Sequence, residues 1–224
     1  MSECRMKRAF SVKKAHQTQL RLSKSIIFKD NLPKKVRLVA GVDVAYTGEA
    51  SIGAVAVLDY DSLEPVESQA ACCRTLFPYI PTLLSFREIP PTILAIRKLE
   101  THPDVFLVDG QGYAHPCGCG FASHLGLAIN KPTIGVAKSR LFGEAEKSKD
   151  ETDVVFLKHK KETIGAVVKT KSNCKPVYVS VGHLISLRTA IRIVRHCARN
   201  NRIPEPILKA HETANAEKRK INNA

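Results

Sequence analysis

The chain has 224 residues, and 44% of them are hydrophobic, which is enough apolar material to bury the core of one domain. Its formal net charge of +14 favours contact with polyanions such as nucleic acid, with a solvated, solubilising surface as the alternative. No stretch approaches the roughly 18 apolar residues of a membrane span, and the N-terminus lacks an apolar secretory core, so we expect a soluble cytoplasmic protein.

The basic excess is confined to the two ends of the chain. Residues 1–37 carry eleven basic and two acidic side chains, and residues 192–224 carry eight basic and three acidic ones. The stretch between them therefore has no net charge. We expect the two ends to attract a polyanion, and we expect residues 1–36 to form a basic helical segment.

The first predicted strands follow this segment. The apolar runs Leu38–Tyr46 and Ile52–Tyr60 flank a Thr-Gly-Glu turn, which predicts a hairpin, and a third strand is predicted near Ser68–Leu76. The next segment is dense in proline. Its pair Pro90-Pro91 is predicted to end one helical turn and to start the next, over residues 93–100.

Short apolar runs then alternate with a helical pattern. VFLVD at 105–109, PTIGVA at 132–137 and PVYVS at 176–180 are typical of strands buried on both faces, and 122–130 is predicted to be a helix. The polar stretch Gly143–Asp153 is predicted to be an exposed loop. This order predicts a mixed sheet covered by helices, an α/β fold.

The last clear pattern is an amphipathic helix over Leu187–Arg199. Its apolar residues share one face, and four arginines recur at spacings of four, three and four on another: Arg188, Arg192, Arg195 and Arg199. Such a row suits phosphate groups, and an ordinary solvated helix face is the alternative.

Two aspartates stand in apolar strands where an unpaired carboxylate would cost several kcal/mol. Asp43 lies within VAGVDVAY, and Asp109 ends VFLVD just before a Gly-x-Gly turn. Each could be a turn cap or half of an ion pair. Together, in a chain with basic ends, they favour a shared Mg²⁺ or Mn²⁺ and a metal-dependent phosphodiesterase. The seven cysteines form no C-x-x-C pair, which disfavours zinc.

Three further residues are candidates for chemistry. Glu88 is a third carboxylate, although Arg87 beside it in an exposed loop would explain it equally well. Lys138 directly follows PTIGVA, where it could neutralise a phosphate or simply reach water. His211 lies on one helical face with Ile207, where a packing role is the more common one.

Six motifs occur in order from about residue 36 to residue 213: AGVDVAY, FPYIPTLLSFRE, VFLVDGQGYAHP, GFASHLGLAINKPTIGVAKSRL, KPVYVSVGHLISL and RIPEPILKAH. Together they closely resemble the endonuclease V family, nucleases that act at inosine, the deaminated form of adenosine. The resemblance implies a ribonuclease H-like fold, with a central mixed β-sheet flanked by helices. It also implies one domain over 1–224, with a family-matching core at 37–213 and a basic tail at 214–224.

The resemblance assigns roles to the candidate residues. It implies catalytic roles for Asp43, Glu88, Asp109, Lys138 and His211. Of these, the two aspartates would bind Mg²⁺ directly, with Mn²⁺ as a substitute. The expected reaction is a nick at the second phosphodiester bond 3′ to inosine, leaving a 5′-phosphate and a 3′-hydroxyl. The expected partner is inosine-containing nucleic acid, DNA rather than RNA, bound by a monomer.

The resemblance also implies a wedge at Pro78–Pro81 that separates the strands, although a proline-stiffened packing loop is the alternative. The expected nucleic-acid contacts are Tyr79, Ile80, Pro81, Gly110, His115 and Gly135. The glycines would let the backbone approach an extruded base. Two residues depart from the family pattern: Thr82 stands where glycine is usual, and Cys117 stands where arginine is usual.

Two other functions are compatible with these residues. One is a different nuclease of ribonuclease H-like fold, which would cut without preference for inosine. The other is a protein that keeps the fold and binds nucleic acid without cutting it.

Overall fold

A computed structural model describes residues 11–146, 153–199 and 201–223. The first ten residues of the predicted basic segment, and residues 147–152 of the predicted polar loop, lie outside these ranges. The elements, in chain order, are α1 Val12–Ser23, β1 Leu38–Thr47, β2 Ala50–Asp59, β3 Pro65–Arg74, α2 Ser85–Ile96, β4 Val105–Asp109, α3 Phe121–Ile129, β5 Thr133–Ala137, β6 Glu144–Ala145, β7 Val154–His159, β8 Glu162–Val168, β9 Val177–His183, α4 Leu187–Ala198 and α5 Glu205–Asn222.

The strands form one mixed sheet in the order β3-β2-β1-β4-β5-β9-β8-β7-β6. The central strands β1, β4 and β5 are parallel, and every other neighbouring pair is antiparallel. The predicted hairpin is confirmed as β1–β2, and Gly48 in its turn has a positive φ of 51°. The prediction of a mixed sheet flanked by helices is confirmed.

Alternation along the central strands creates a core on each face of the sheet. Val39 and Leu107 belong to one core with residues of α4 and α5, whereas Val42 and Val108 belong to the other with residues of α2 and α3. Each such side chain contributes about 1.5–3 kcal/mol when it is removed from water. Because both faces are covered, the central strands need apolar residues at successive positions.

The predicted break at Pro90-Pro91 is wrong, because α2 continues through both prolines. Its backbone at Pro91 packs so closely on β2 that a Cβ added to Gly53 would lie 2.4 Å from the Pro91 carbonyl carbon. This packing maintains the helix although proline supplies no N–H group to it. Glu88 consequently lies in the first turn of a helix, and the exposed loop expected around it is absent from residues 85–96.

Several elements at the edge and the end of the chain differ from the predictions. Strands β7 and β8 were not predicted, and β6 occupies the start of the expected polar loop. The expected tail from residue 214 continues α5 as far as Asn222. No helix in the described ranges is long and apolar enough to cross a lipid bilayer.

The amphipathic helix near the C-terminus is confirmed as α4. Its four arginines are exposed, and its opposite face is buried against the sheet. Two of the arginines have partners within the chain: Arg195 lies 3.2 Å from Asp153, and Arg199 donates a hydrogen bond to the carbonyl of Asp61. Part of the row therefore serves the fold itself.

Candidate active site

Strand register brings the two aspartates together. Parallel strands β1 and β4 pair Val42 with Val108, so that Asp43 and Asp109 occupy the next position on each strand. On the other side of β4, Asp109 is paired with Val136 of β5, and β5 ends one residue before Lys138. All three side chains consequently gather at the carboxyl ends of adjacent parallel strands, where ligand sites of open α/β sheets usually lie.

Asp43 is buried, with 9% of its surface exposed, and its two carboxylate oxygens have separate partners. The N–H of Val44 donates to Oδ1 at 2.8 Å, and Nδ1 of His211 lies 2.7 Å from Oδ2. The side-chain amide of Asn215 lies 2.9 Å from Nε2 of His211 and donates to the His211 carbonyl. Because the amide nitrogen of Asn215 is a donor, Nε2 of His211 is the acceptor in their contact. The ring proton is therefore assigned to Nδ1, from which His211 donates to Asp43.

Asp109 forms an ion pair with Lys138 at 2.5 Å between Oδ2 and Nζ. Burial and the charge of Asp43 raise the pKa of Asp109, whereas the hydrogen bond and charge of Lys138 act to lower it. The backbone of Lys138 is itself held, because Arg202 donates to its carbonyl at 2.7 Å and to the carbonyl of Pro176 at 3.0 Å. Sequence reasoning missed Arg202, although it directly precedes the Ile-Pro-Glu-Pro motif.

Glu88 is half-buried and faces the same group of charges. Burial, followed by the charges of Asp109 and Asp43, raises its pKa to about 8, and Arg87 opposes this. A carboxylate that shares a site with two others is protonated more readily, because like charges cannot all be ionised at low cost. Glu88 is therefore part of one electrostatic unit with the two aspartates.

The donor set fits a hard divalent cation. Carboxylate oxygens are the ligands that Mg²⁺ and Mn²⁺ prefer. A cation would offset the repulsion that, together with burial, raises the pKa of Glu88 and Asp109. Across the described ranges, no three His, Cys, Asp or Glu side chains are already grouped as a metal site. Lys138 and His211 instead hold one carboxylate each.

A pocket of about 310 Å³ opens beside these carboxylates. Its lining includes Glu88 and Asp109 together with four of the predicted nucleic-acid contacts, which are Tyr79, Pro81, Gly110 and His115. It also includes residues that sequence reasoning missed, namely Gln111, Phe121, Ser139, Arg140 and Leu141. The sequence contained a signal for them, because Gln111 lies two residues after Asp109, residues 139–141 directly follow Lys138, and Phe121 directly precedes the predicted helix.

Two of the predicted nucleic-acid contacts lie outside this lining. Gly135 lies beneath the loop that follows β4, where an added Cβ would be 2.4 Å from the backbone nitrogen of Gly112 and 2.8 Å from the carbonyl oxygen of Gly110. Its place in the structure is therefore to let that loop pack on β5. Ile80 is half-buried in the predicted wedge beside Tyr79.

The wedge residue Tyr79 has 69% of its surface exposed. The Arg87 guanidinium lies 5.8 Å from the centre of its ring and 4.7 Å from the ring of Tyr46. Arg87 therefore connects the tip of the wedge to the end of β1 beside the carboxylates, through contacts of the cation–π type.

His115 is buried and has a structural partner. Its Nε2 lies 2.9 Å from the carbonyl oxygen of Thr82, and its Nδ1 accepts the N–H of Cys117 at 3.2 Å. Burial lowers the pKa of His115 to about 4, so the ring is neutral at pH 7. Cys117, which replaces the family's arginine, is half-buried.

A mixed sheet with this topology and with aspartates on adjacent parallel strands defines the class of ribonuclease H-like nucleases. The family model of endonuclease V matches residues 20–212. An endonuclease V from Thermofilum pendens is 44% identical over 213 residues, which are 95% of this chain and 91% of that protein. The chain belongs to the endonuclease V family.

Solved structures agree with this assignment. The endonuclease V of Streptomyces avermitilis is 33% identical with a TM-score of 0.88, and the alignment covers 95% of each chain. The endonuclease V of Ciona intestinalis is 33% identical with a TM-score of 0.83, covering 94% of this chain and 98% of that one. The latter was crystallised with a 24mer DNA that contains an inosine followed by a ribo-adenosine.

Proposed function

We propose that this chain is an endonuclease that recognises inosine in nucleic acid and cuts the second phosphodiester bond on its 3′ side, leaving a 5′-phosphate and a 3′-hydroxyl. The observation that carries the proposal is the shared lining of the pocket, in which Glu88 and Asp109 stand beside Tyr79 and Gly110. A base held in this pocket would lie next to the carboxylates. The inosine-containing DNA bound by the Ciona intestinalis relative supports the choice of base.

The carboxylates of Asp43 and Asp109, with Glu88 beside them, would hold Mg²⁺, with Mn²⁺ as a substitute. When bound, such a cation stabilises negative charge on a phosphate and lowers the pKa of a coordinated water. The protein supplies rigid, pre-positioned oxygens. Burial of Asp43 against the N–H of Val44 fixes one of them before any substrate arrives.

Lys138 and His211 act on the carboxylates from opposite sides. Lys138 places an ammonium group 2.5 Å from Asp109 and is still about half exposed, so it can also reach a phosphate oxygen or the departing 3′ oxygen. His211 donates a hydrogen bond from Nδ1 to Asp43 and keeps that carboxylate oriented. Arg202 donates to the carbonyl of Lys138 and so fixes the backbone from which the Lys138 side chain extends.

Recognition of inosine follows from the edges of the base. Hypoxanthine differs from adenine by a carbonyl at position six and a hydrogen on N1. A buried pocket that donates to the former and accepts from the latter rejects adenine, because the pocket's own groups would be left unpaired. Exposed Tyr79 would occupy the space left by the extruded base, where stacking on an aromatic ring contributes about 1–3 kcal/mol per base.

We also propose that the active form is a monomer. We further propose DNA rather than RNA as the substrate, and the cytoplasm as the location of the enzyme. Cutting of a matched RNA strand tests the choice of DNA over RNA.

The test is a nicking assay on end-labelled strands that carry either inosine or adenosine at one position, prepared as DNA and as RNA, with Mg²⁺ or with a chelator. We expect one cut, 3′ to inosine, only with Mg²⁺, and faster on DNA. Equal cutting of the adenosine strand would instead support a different ribonuclease H-like nuclease. Binding without any cut would support the non-catalytic alternative.

A further inference from the structure

Thr82 connects the wedge at 78–81 to α2, and its backbone conformation is unusual for its residue type. Its φ is +71°, in the left-handed region that glycine adopts readily and that a β-branched residue adopts rarely. Thr82 also lines the pocket beside the carboxylates. Because such a conformation costs of order 1–3 kcal/mol, it persists only where neighbouring groups hold it.

Three side chains hold Thr82, and two of them come from α1. Gln19 donates from Nε2 to the Thr82 carbonyl at 2.7 Å, and His115 donates to the same oxygen at 2.9 Å. His16 lies 3.2 Å from the Thr82 hydroxyl through its Nε2. The carbonyl oxygen of Thr82 thus uses both of its lone pairs.

Gln19 is the buried member of this group. It has no exposed surface, although it belongs to an otherwise largely exposed helix, and it also donates to the carbonyl of Cys119 at 3.2 Å. Cys119 lies in the loop that follows β4 and precedes α3. One amide group therefore ties α1, the wedge and the loop beside the pocket into a single unit. Loss of a buried hydrogen bond leaves its partners unpaired, which lowers the stability of the folded protein.

We propose that α1 is a latch for the wedge, in which Gln19 and His16 are positioning residues for base recognition that act through Thr82. The proposal rests on the function proposed above. In this chain the hydroxyl of Thr82 adds a contact with His16 that the family's glycine could not make, whereas the contacts of Gln19 and His115 with the carbonyl need only the backbone. The latch keeps the wedge in place over the pocket before the nucleic acid binds. Less conformational entropy is then lost when the base is recognised.

The first test measures the wedge without any substrate. The chain contains no tryptophan, so Tyr79→Trp gives a single fluorescent reporter at the wedge. In that background, Gln19→Met keeps the length of the side chain but cannot donate, and Gln17→Met is the matched control on the exposed side of α1. We expect lower tryptophan anisotropy with Gln19→Met and unchanged anisotropy with Gln17→Met. Unchanged anisotropy in a folded Gln19→Met protein would overturn the latch.

The second test measures recognition with variants that do not disturb the core. His16→Ala, at a half-buried helix position, and Thr82→Ala each remove one partner of the same contact. With Tyr79 intact, we expect either variant to raise KM for the inosine strand by about three- to tenfold while kcat stays within about twofold. The double variant should be no worse than Thr82→Ala alone. Additive effects, or a loss confined to kcat, would contradict the proposal.

The two tests separate the latch from the proposed function. If the wild-type protein did not distinguish inosine from adenosine, the proposed function would fail, and the anisotropy would still report whether α1 holds the wedge. If the wild-type protein cut inosine strands and the Gln19→Met reporter stayed rigid, only the latch would fail.

Discussion

At the scale of residues, the site is a small group of carboxylates that the fold keeps close to one another. Asp43 and Asp109 are each largely buried, and each contacts one basic side chain, His211 or Lys138. Glu88 has no such ion pair among the described salt bridges, and its pKa is the one raised to about 8. Metal-free protein at neutral pH therefore keeps this carboxyl largely protonated.

This shift predicts a dependence of stability on pH. A folded-state pKa above the ordinary value near 4.5 means that the folded protein binds a proton which the unfolded chain releases. The stabilisation is complete below pH 4.5 and is lost as the pH rises through about 8. We expect the free energy of unfolding of the metal-free protein, measured with urea, to fall between pH 6.5 and pH 8, and to fall less in Glu88→Gln.

Histidines act in a separate pH range. Burial lowers the pKa of His115 and of His124 to about 4, so their contribution is present above pH 6.5 and is lost below it. Measurements above pH 6.5 therefore avoid the titration of these two histidines. Exposed Glu100→Gln is the matched control, and an equal slope in Glu88→Gln and wild type would contradict the burial of a protonated Glu88.

At the scale of elements, the position of α5 on β1 determines where His211 meets Asp43. The helix approaches the strand at Gly41, where an added Cβ would lie 1.8 Å from the carbonyl oxygen of Pro206. Only glycine permits this approach. The contact lies two residues before Asp43 and five residues before His211, so it sets the distance between the two side chains.

The change Gly41→Ala should therefore move α5 and disturb the site together with the fold. We expect a loss of about 1–3 kcal/mol in the free energy of unfolding, as for other overpacked positions, and slower nicking of inosine strands. Gly48→Asn is the control, because no atom lies within 4 Å of an added Cβ there and asparagine tolerates its φ of 51°. Urea denaturation of both variants checks this, and equal stability would refute the close approach.

The central elements could be predicted from the sequence because their pattern is strong and local. VFLVD and PTIGVA are apolar at nearly every position, as strands covered on both faces must be, and they appear as β4 and β5. Strands β7 and β8, which lie between β9 and the two-residue edge strand β6, escaped prediction although VVFL and IGAVV within them are apolar runs. The path of α2 through Pro90-Pro91 depends on its contact with Gly53, which no local pattern reveals.

The candidate site could likewise be predicted from local sequence patterns only in part. Asp43 and Asp109 could be found because a carboxylate in an apolar strand is conspicuous. Their closeness depends on the pairing of β1 with β4, and the link between Asp43 and His211 spans 168 residues of sequence. Contacts of that kind, including those of Gln19 and Arg202, arise only when the chain folds.

At the scale of the whole molecule, one sheet assembles the chemistry from distant parts of the chain. β1, β4 and the residue after β5 supply charges along one end of the sheet, and α2 and α5 add Glu88 and His211 from its two faces. The pocket and the wedge lie at that same end. This arrangement supports the account in which base recognition and strand cleavage share a single site.

The most direct test of that account is the rate of nicking by Asp109→Asn, which keeps the shape of the side chain and removes its charge. Exposed Asp61→Asn, which removes a carboxylate that is paired with exposed Lys35, is the control. With Mg²⁺ and an inosine strand in single-turnover assays, we predict that Asp109→Asn cuts about a hundredfold more slowly, or slower still, while Asp61→Asn cuts at the wild-type rate. Cutting by Asp109→Asn at the wild-type rate would contradict the account.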